Sequence, residues 1–357
     1  MKTYLKVKAG HKAFPLVRDE GLRPDSIGTY AGPAGGPKWF VSVGFDRAVI
    51  RSKFLQRAGH RVLLAGSSAG AWRCLAMSCR DPLLSYERLR IAYSRNIFTE
   101  SDTQKTVSQA LKRNVEAFLM DDDVDFILHH PHFDLAIHTV RARGPAAAEN
   151  RLVQGAALLM AGLCNIASPQ GTGIFFERVV FLSGEHKRGV LGFGFNGSTA
   201  RLTTANIRHV ALATGSLPFI VLGVRGVPDA PSGVYRDGGL RDYQLNARYL
   251  PSDDKLTLFF HYQERITPGW FDKKLRWRTA YREITENVVQ IYPSQDFVQL
   301  LPDGRIPGRE DFMRFIDTPL ERIRRWDMVS ELSNVLGEEF MELVESGRIK
   351  SCVEPLN

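Results

Sequence analysis

An α/β fold, with a mainly parallel sheet covered by helices on both faces, is predicted by three features of this sequence. Strand-like and helix-like segments alternate through the first hundred residues. The strand-like segments are short continuous apolar runs, as strands buried on both faces require. Glycine-rich turns stand where those strands hand over to helices.

The elements come in this order. Residues 26–31 (SIGTYA) read as a strand running into a Gly/Pro loop, 32–37. Residues 39–57 then carry Phe40, Val43, Phe45, Val49, Ile50, Phe54 and Leu55 at helical spacing. Residues 61–65 (RVLLA) form a second strand, followed at once by a Gly/Ser turn and the helical run AGAWRCLAMSC. Strand, helix, strand, turn, helix is the βαβ pattern of a parallel sheet. Residues 86–98 and 103–119 read as helices, with Asp121, Asp122 and Asp123 as a polar stop. Strands are expected at 133–140 and 177–182 with an apolar helix at 148–163 between them, and again at 208–213, 233–235 and 256–262. From residue 308 onward Phe312, Phe315, Ile316, Ile323, Trp326, Leu332 and Leu336 mark the apolar face of a helical region. No repeat or long linker divides the chain. Residues 1–260 are expected to form one α/β catalytic domain, and residues 261–357 a mainly helical portion packed on it.

Composition narrows the function classes. Hydrophobic residues make up 44% of the 357 and charged residues 24%, which excludes a disordered chain, a collagen-like repeat and a coiled coil. Lys and Arg number 47 against 39 Asp and Glu, a net charge of +8 that favours anionic partners. No zinc finger, RNP-like stretch or helix-turn-helix signature supports a nucleic-acid partner. Cys74, Cys79, Cys164 and Cys352 are too scattered for a disulfide framework or a zinc site and read as free thiols of a reducing compartment. The first residues lack the apolar core of a signal peptide. The longest apolar stretch, 155–167, is interrupted by Asn165 and falls short of the ~20 residues that span a bilayer. A cytoplasmic protein is therefore expected.

The sharpest chemical signal is Gly66-Ser67-Ser68-Ala69-Gly70, a G-x-S-x-G pattern placed after a buried strand and before a helix. A turn this tight excludes bulk at the flanking positions and lifts the Ser68 hydroxyl out of the sheet. It also aims the free N–H groups of the helix N-terminus at any oxyanion formed there. A second signal is Gly32-Pro33-Ala34-Gly35-Gly36-Pro37-Lys38-Trp39, whose paired glycines leave backbone N–H groups uncovered. Pro37 between Gly36 and Lys38 rules out a P-loop. A third is Tyr235-Arg236-Asp237-Gly238-Gly239-Leu240, which holds a carboxylate at a turn. A serine nucleophile needs such a partner to take its proton. After Asp237 the only histidine is His261, inside the apolar run LTLFFHY, where it reads as a packed strand residue. His129, His130 and His132 lack metal-ligand spacing and read as a surface turn. A Ser–Asp pair without histidine, metal or cofactor is the arrangement these residues favour.

A glycine-rich loop after the first strand, G-x-S-x-G after the next and D-G-G far downstream, in that order, resemble the patatin-like phospholipase family. Ala213-Thr214-Gly215-Ser216-Leu217-Pro218-Phe219 resembles the family's small-residue and proline segment. The resemblance spans residues 26–246 and implies a three-layer α/β/α fold and hydrolysis of lipid acyl esters by a Ser–Asp dyad. Carried over by position, it implies that Ser68 is the nucleophile and Asp237 its base. It further implies that Gly35, Gly36 and the N–H of Ala69 hold the oxyanion, with Lys38 as the basic residue beside them. Gly66, Gly70, Gly238 and Gly239 are the motif glycines. Ala34 and Trp39 replace glycines usual in the family, and Pro37 offers no N–H.

The segment 270–278 mixes Trp270 and Trp277 with Lys273, Lys274, Arg276 and Arg278, a composition suited to an anionic membrane surface. The sequence therefore points to a serine hydrolase of lipid acyl esters that works in the cytoplasm, at a membrane surface when recruited there. The alternatives are an acyltransferase or thioesterase using the same dyad, and a lipid-binding, membrane-recruited protein with a decayed site.

Overall fold

Eleven strands form one sheet in a computed structural model that describes residues 3–184, 191–249 and 254–356. They are β1 (Leu5–Ala9), β2 (Ile27–Gly32), β3 (Val62–Ser67), β4 (Phe133–Ala142), β5 (Phe176–Leu182), β6 (Gly197–Arg201), β7 (Val224–Arg225), β8 (Val234–Asp237), β9 (Leu256–Phe260), β10 (Val288–Pro293) and β11 (Val353–Pro355). The order across the sheet is β11-β1-β10-β9-β2-β3-β4-β5-β6, with β8 pairing β4 and β7. Pairing is mostly parallel; β1–β10, β4–β5, β4–β8 and β7–β8 are antiparallel.

Both faces of this sheet are buried, which explains the unbroken apolar runs. In β3, Val62 and Leu64 belong to one hydrophobic cluster, while Leu63 and Ala65 point the other way into a second. In β4, Leu135 and Ile137 share the first cluster, and Val140 and Ala142 pack oppositely against Ala157, Leu158 and Ala161 of the helix Arg151–Ala167. The first face is covered by the helices Val43–Arg51, Ala69–Met77 and Asn334–Glu345. The result is a three-layer α/β/α arrangement.

Several local expectations are corrected. Residues 208–213 lie in a helix, Ile207–Thr214, because Ile207, Val210, Ala211 and Thr214 bury one helical face. Asp121, Asp122 and Asp123 open the helix Asp121–Leu128 rather than stop one, placing carboxylates against free N–H groups at its start. The stretch 39–57 is broken into the 3₁₀ turn Gly36–Ser42, the helix Val43–Arg51 and a second turn, Leu55–Ala58. After residue 260 the chain is not helical alone: β10 enters the sheet between β9 and β1, and β11 forms its edge.

A charged cluster ties the layers together under the helix Ala69–Met77. Arg73 Nε lies 2.7 Å from Asp46 Oδ2, with both side chains fully buried, and the Tyr30 and Tyr86 hydroxyls donate to the same carboxylate. Strand β2, two neighbouring helices and the Ala69–Met77 helix are thereby joined at one point.

The sheet also brings two distant strand ends together. β3 runs parallel to β4 and finishes with Ser67 opposite His138. β8 runs antiparallel to β4 along the same edge and finishes with Asp237 opposite Thr139. The two strands therefore point at each other across one residue step of β4, and the turns that leave their ends must meet.

Candidate functional site

Ser68 occupies the turn between β3 and the helix Ala69–Met77 with φ 53° and ψ −130°, a backbone conformation unusual for any residue but glycine. Holding it costs of order 1–3 kcal/mol and persists only where the surroundings enforce it. The enforcement is visible. A Cβ at Gly70 would lie 2.0 Å from the carbonyl oxygen of Gly32, and one at Gly66 would lie 2.7 Å from the carbonyl carbon of Gly70. The glycines of G-x-S-x-G are there because the helix start crosses the end of β2 in direct backbone contact. The Ser68 N–H donates to Thr214 Oγ1 at 2.8 Å, and the Thr214 hydroxyl donates to the His138 carbonyl at 2.7 Å. The segment 213–219 thus fastens the turn to β4.

Ser68 Oγ donates to Asp237 Oδ2 at 2.8 Å, and the other carboxylate oxygen, Oδ1, accepts the Gly239 N–H at 2.7 Å. A Cβ at Gly238 would stand 2.2 Å from the His138 carbonyl oxygen, so the D-G-G turn fits only with glycine at that position. Asp237 is fully buried. Burial pushes its carboxyl up to about 6, although Arg309, the Gly239 N–H and the Ser68 hydroxyl each pull it down. A base poised near neutrality is what proton removal from a serine requires.

Among the described residues no histidine bonds to either member of this pair. His261 is buried, its ring beside the Gln263 carbonyl, and burial pushes it down to about 3. His138 lies between the Tyr249 hydroxyl at 3.0 Å and Asp242 Oδ2 at 3.3 Å. His129 and His132 are exposed, as a surface turn requires, whereas His130 is buried and accepts the N–H groups of His132 and Phe133 at 3.0 Å each. Among the described residues no His, Cys, Asp and Glu group is arranged to hold a metal ion. Cys74 and Cys79 are buried free thiols, both pushed up to about 12 by burial.

The glycine loop lies beside the pair and is pinned from two sides. The Ala34 N–H donates to the Tyr243 carbonyl at 2.8 Å, and the Ala34 carbonyl accepts the Tyr262 hydroxyl at 2.9 Å. Ala34 therefore spends its own donor on structure. The N–H groups of Gly35, Gly36 and Ala69 have no protein acceptor among the described residues. Gly36 has φ 56°, and a Cβ there would meet Arg309 Nε at 2.8 Å. Trp39 is turned away from the loop into the core, stacked on Phe40 at 4.7 Å and edge-on to Tyr86 at 5.7 Å.

The cations divide in a way the sequence did not foretell. The Lys38 ammonium rests on the Tyr262 ring, 4.7 Å from its centroid, and burial lowers its affinity for a proton, with Arg309 acting in the same direction. Arg309, which no motif singled out, lines the cavity with Ser68, Ala69 and Gly36. That cavity has a volume of about 360 Å³ and mostly apolar walls, among them Trp72, Phe98, Leu111, Phe219 and Phe312.

The aromatic–basic segment is partly folded inward. Trp270 packs edge-on against Phe271 at 5.1 Å, and the Arg278 guanidinium donates to the Asn165 carbonyl at 3.1 Å. Lys273 is exposed but lies over the Tyr243 ring at 5.0 Å, where lost hydration, with Lys38 and Arg309, pushes its ammonium down to about 8. Lys274, Arg276 and Trp277 are exposed. Among the described residues no helix is long and apolar enough to cross a membrane.

No family model matches the chain, and a comparison with curated protein sequences gives no match. Among solved structures the chain is similar to a human cytosolic phospholipase A2 of group IVD, at 10% identity and a TM-score of 0.39. The match covers 93% of this chain and 61% of that one, so the chain spans less than two thirds of its neighbour.

Proposed function

We propose that the protein is a serine acyl hydrolase acting on lipid esters, with Ser68 as nucleophile and Asp237 as its base. The observation that carries this reading is the 2.8 Å hydrogen bond from Ser68 Oγ to a buried carboxylate poised near pH 6. Asp237 takes the proton as Oγ attacks the ester carbonyl carbon, forming a tetrahedral oxyanion. The unpartnered N–H groups of Gly35, Gly36 and Ala69 stabilise that oxyanion, each donor being worth about 10²–10³ in rate at sites of this kind. Collapse breaks the ester C–O bond, and the leaving alcohol recovers the proton from Asp237. Water, deprotonated by Asp237, then attacks the acyl-Ser68 carbonyl and releases the fatty acid, regenerating the hydroxyl.

Arg309, rather than Lys38, is the cation next to the developing charge, because it shares the cavity wall with Ser68. The apolar walls suit an acyl chain. The short Ser–Asp contact and the free N–H groups support a working site over a decayed one. A short-chain chromogenic ester tests the reading. The wild type should turn it over and Ser68→Ala should not, while equal rates for the two would overturn the assignment.

A further inference from the structure

The helix Arg151–Ala167 is apolar on its outward face as well as on the face it buries. Its buried residues are Gln154, Ala157, Leu158, Ala161 and Asn165, two of them amides. Its outward face carries Leu152, Leu159, Met160, Leu163 and Ile166, with Leu152 85% and Leu159 67% exposed. Positions 152, 159, 163 and 166 return to one side of a helix, and no charged residue follows Arg151 within it. The helix is about 25 Å long at 1.5 Å per residue. An apolar stripe of that length marks a contact surface.

The surroundings of each end indicate the occupant. Near the first turn, the Gln154 amide oxygen accepts the Phe219 N–H at 2.6 Å, and Arg151, Phe219 and Ile220 line the cavity that holds Ser68. At the last turn, the Asn165 amide donates to Asp272 at 2.7 Å and Arg278 donates to the carbonyls of Asn165 at 3.1 Å and Ile166 at 3.4 Å, which holds the segment 272–278, with its exposed Trp277, Arg276 and Lys274, against this end of the helix. Trp277 is 71% exposed. The apolar face therefore runs from the cavity mouth to a tryptophan flanked by cations. A second copy of the chain would bring two sets of these cations into one interface, whereas an anionic bilayer takes the apolar stripe into its acyl boundary and the cations against its phosphates.

We infer that the outer face of the helix Arg151–Ala167, with Trp277, Lys274 and Arg276 at its end, seats the protein on an anionic lipid surface. The cavity mouth then opens at the interface, so that an acyl chain passes to Ser68 without crossing water. This last step rests on the acyl-hydrolase reading; the docking itself does not.

Co-sedimentation of full-length Ser68→Ala with vesicles tests the docking without hydrolysing them. Vesicles of phosphatidylcholine with phosphatidylserine should carry the protein down more strongly than phosphatidylcholine alone. Leu159→Glu with Leu163→Glu should reduce binding at least about tenfold. Lys274→Glu with Arg276→Glu should remove the preference for phosphatidylserine. In the Ser68 background, the leucine pair should leave turnover of a soluble short-chain ester unchanged. Undiminished vesicle binding by the leucine variant would overturn the inference, as would no binding by the parent. So would a dimer in solution that the leucine variant splits into monomers. Vesicle binding by a protein that hydrolyses no ester would leave the docking standing and remove the proposed function instead.

Discussion

Asp237 and Asp242 are five residues apart, both buried, and they differ in what surrounds them. Asp242 meets the Arg178 guanidinium at 2.8 Å and the His138 ring at 3.3 Å; against the upward push of burial, Arg178 and His138 hold its carboxyl well below the usual range. Asp237 has a hydroxyl and one backbone N–H as its hydrogen-bond donors, and burial holds it up at about 6. Equal burial thus gives one carboxylate locked in its charged form and one able to exchange a proton near neutrality. The first joins β4, β5 and the chain after the D-G-G turn; the second faces the Ser68 hydroxyl.

Exchanging the charges should separate the two roles. The largest effect belongs to the pair itself. Ser68→Ala and Asp237→Asn should each lower kcat on a soluble ester by at least about 10³-fold while circular dichroism stays native. Asp242→Asn should act on stability instead, because it leaves Arg178 buried without its counter-charge. Urea unfolding should show a loss of about 3–5 kcal/mol.

The two sites should also give opposite pH slopes. The raised carboxyl of Asp237 stabilises the folded protein while protonated, and that contribution is lost as pH rises from its unfolded value, about 4, through about 6. Asp237→Asn should therefore gain stability relative to wild type across that interval, by roughly 3 kcal/mol at neutral pH, read from unfolding curves. The lowered carboxyl of Asp242 contributes stability above its unfolded value, lost as pH falls toward its folded one. The smallest effect concerns Arg309, whose charge pulls Asp237 down. Wild-type kcat/KM should rise with pH through about 6 and then level. Arg309→Met should move that rise to higher pH.

Much of this site is legible in the sequence because its signals are local. Gly66, Gly70 and Gly238 report backbone crowding within a few residues, and the strand before and helix after Ser68 confirm the turn. The meeting of Ser68 with Asp237 is less local, since it depends on β3 and β8 converging on one edge of β4, and only the order of motifs hints at it. Arg309 is invisible in the sequence. It follows Gly308 in an unremarkable stretch and reaches the loop only because the chain returns across Gly36. The helix Arg151–Ala167 reads as apolar, but periodicity cannot say which face looks outward when both sides are apolar. The strands β1, β10 and β11 escape for a related reason, as LKVKA and VVQIYP carry too few residues to outweigh their polar neighbours.

The proposed chemistry requires that Asp237 activates Ser68. Intact-mass analysis after brief exposure to a fluorophosphonate probe reads this activation, because the probe phosphonylates only an activated serine hydroxyl. One adduct is expected on Ser68, absent in Ser68→Ala and formed at least about 10²-fold more slowly in Asp237→Asn. Labelling of Asp237→Asn at the wild-type rate, or an adduct on any other residue, would contradict it.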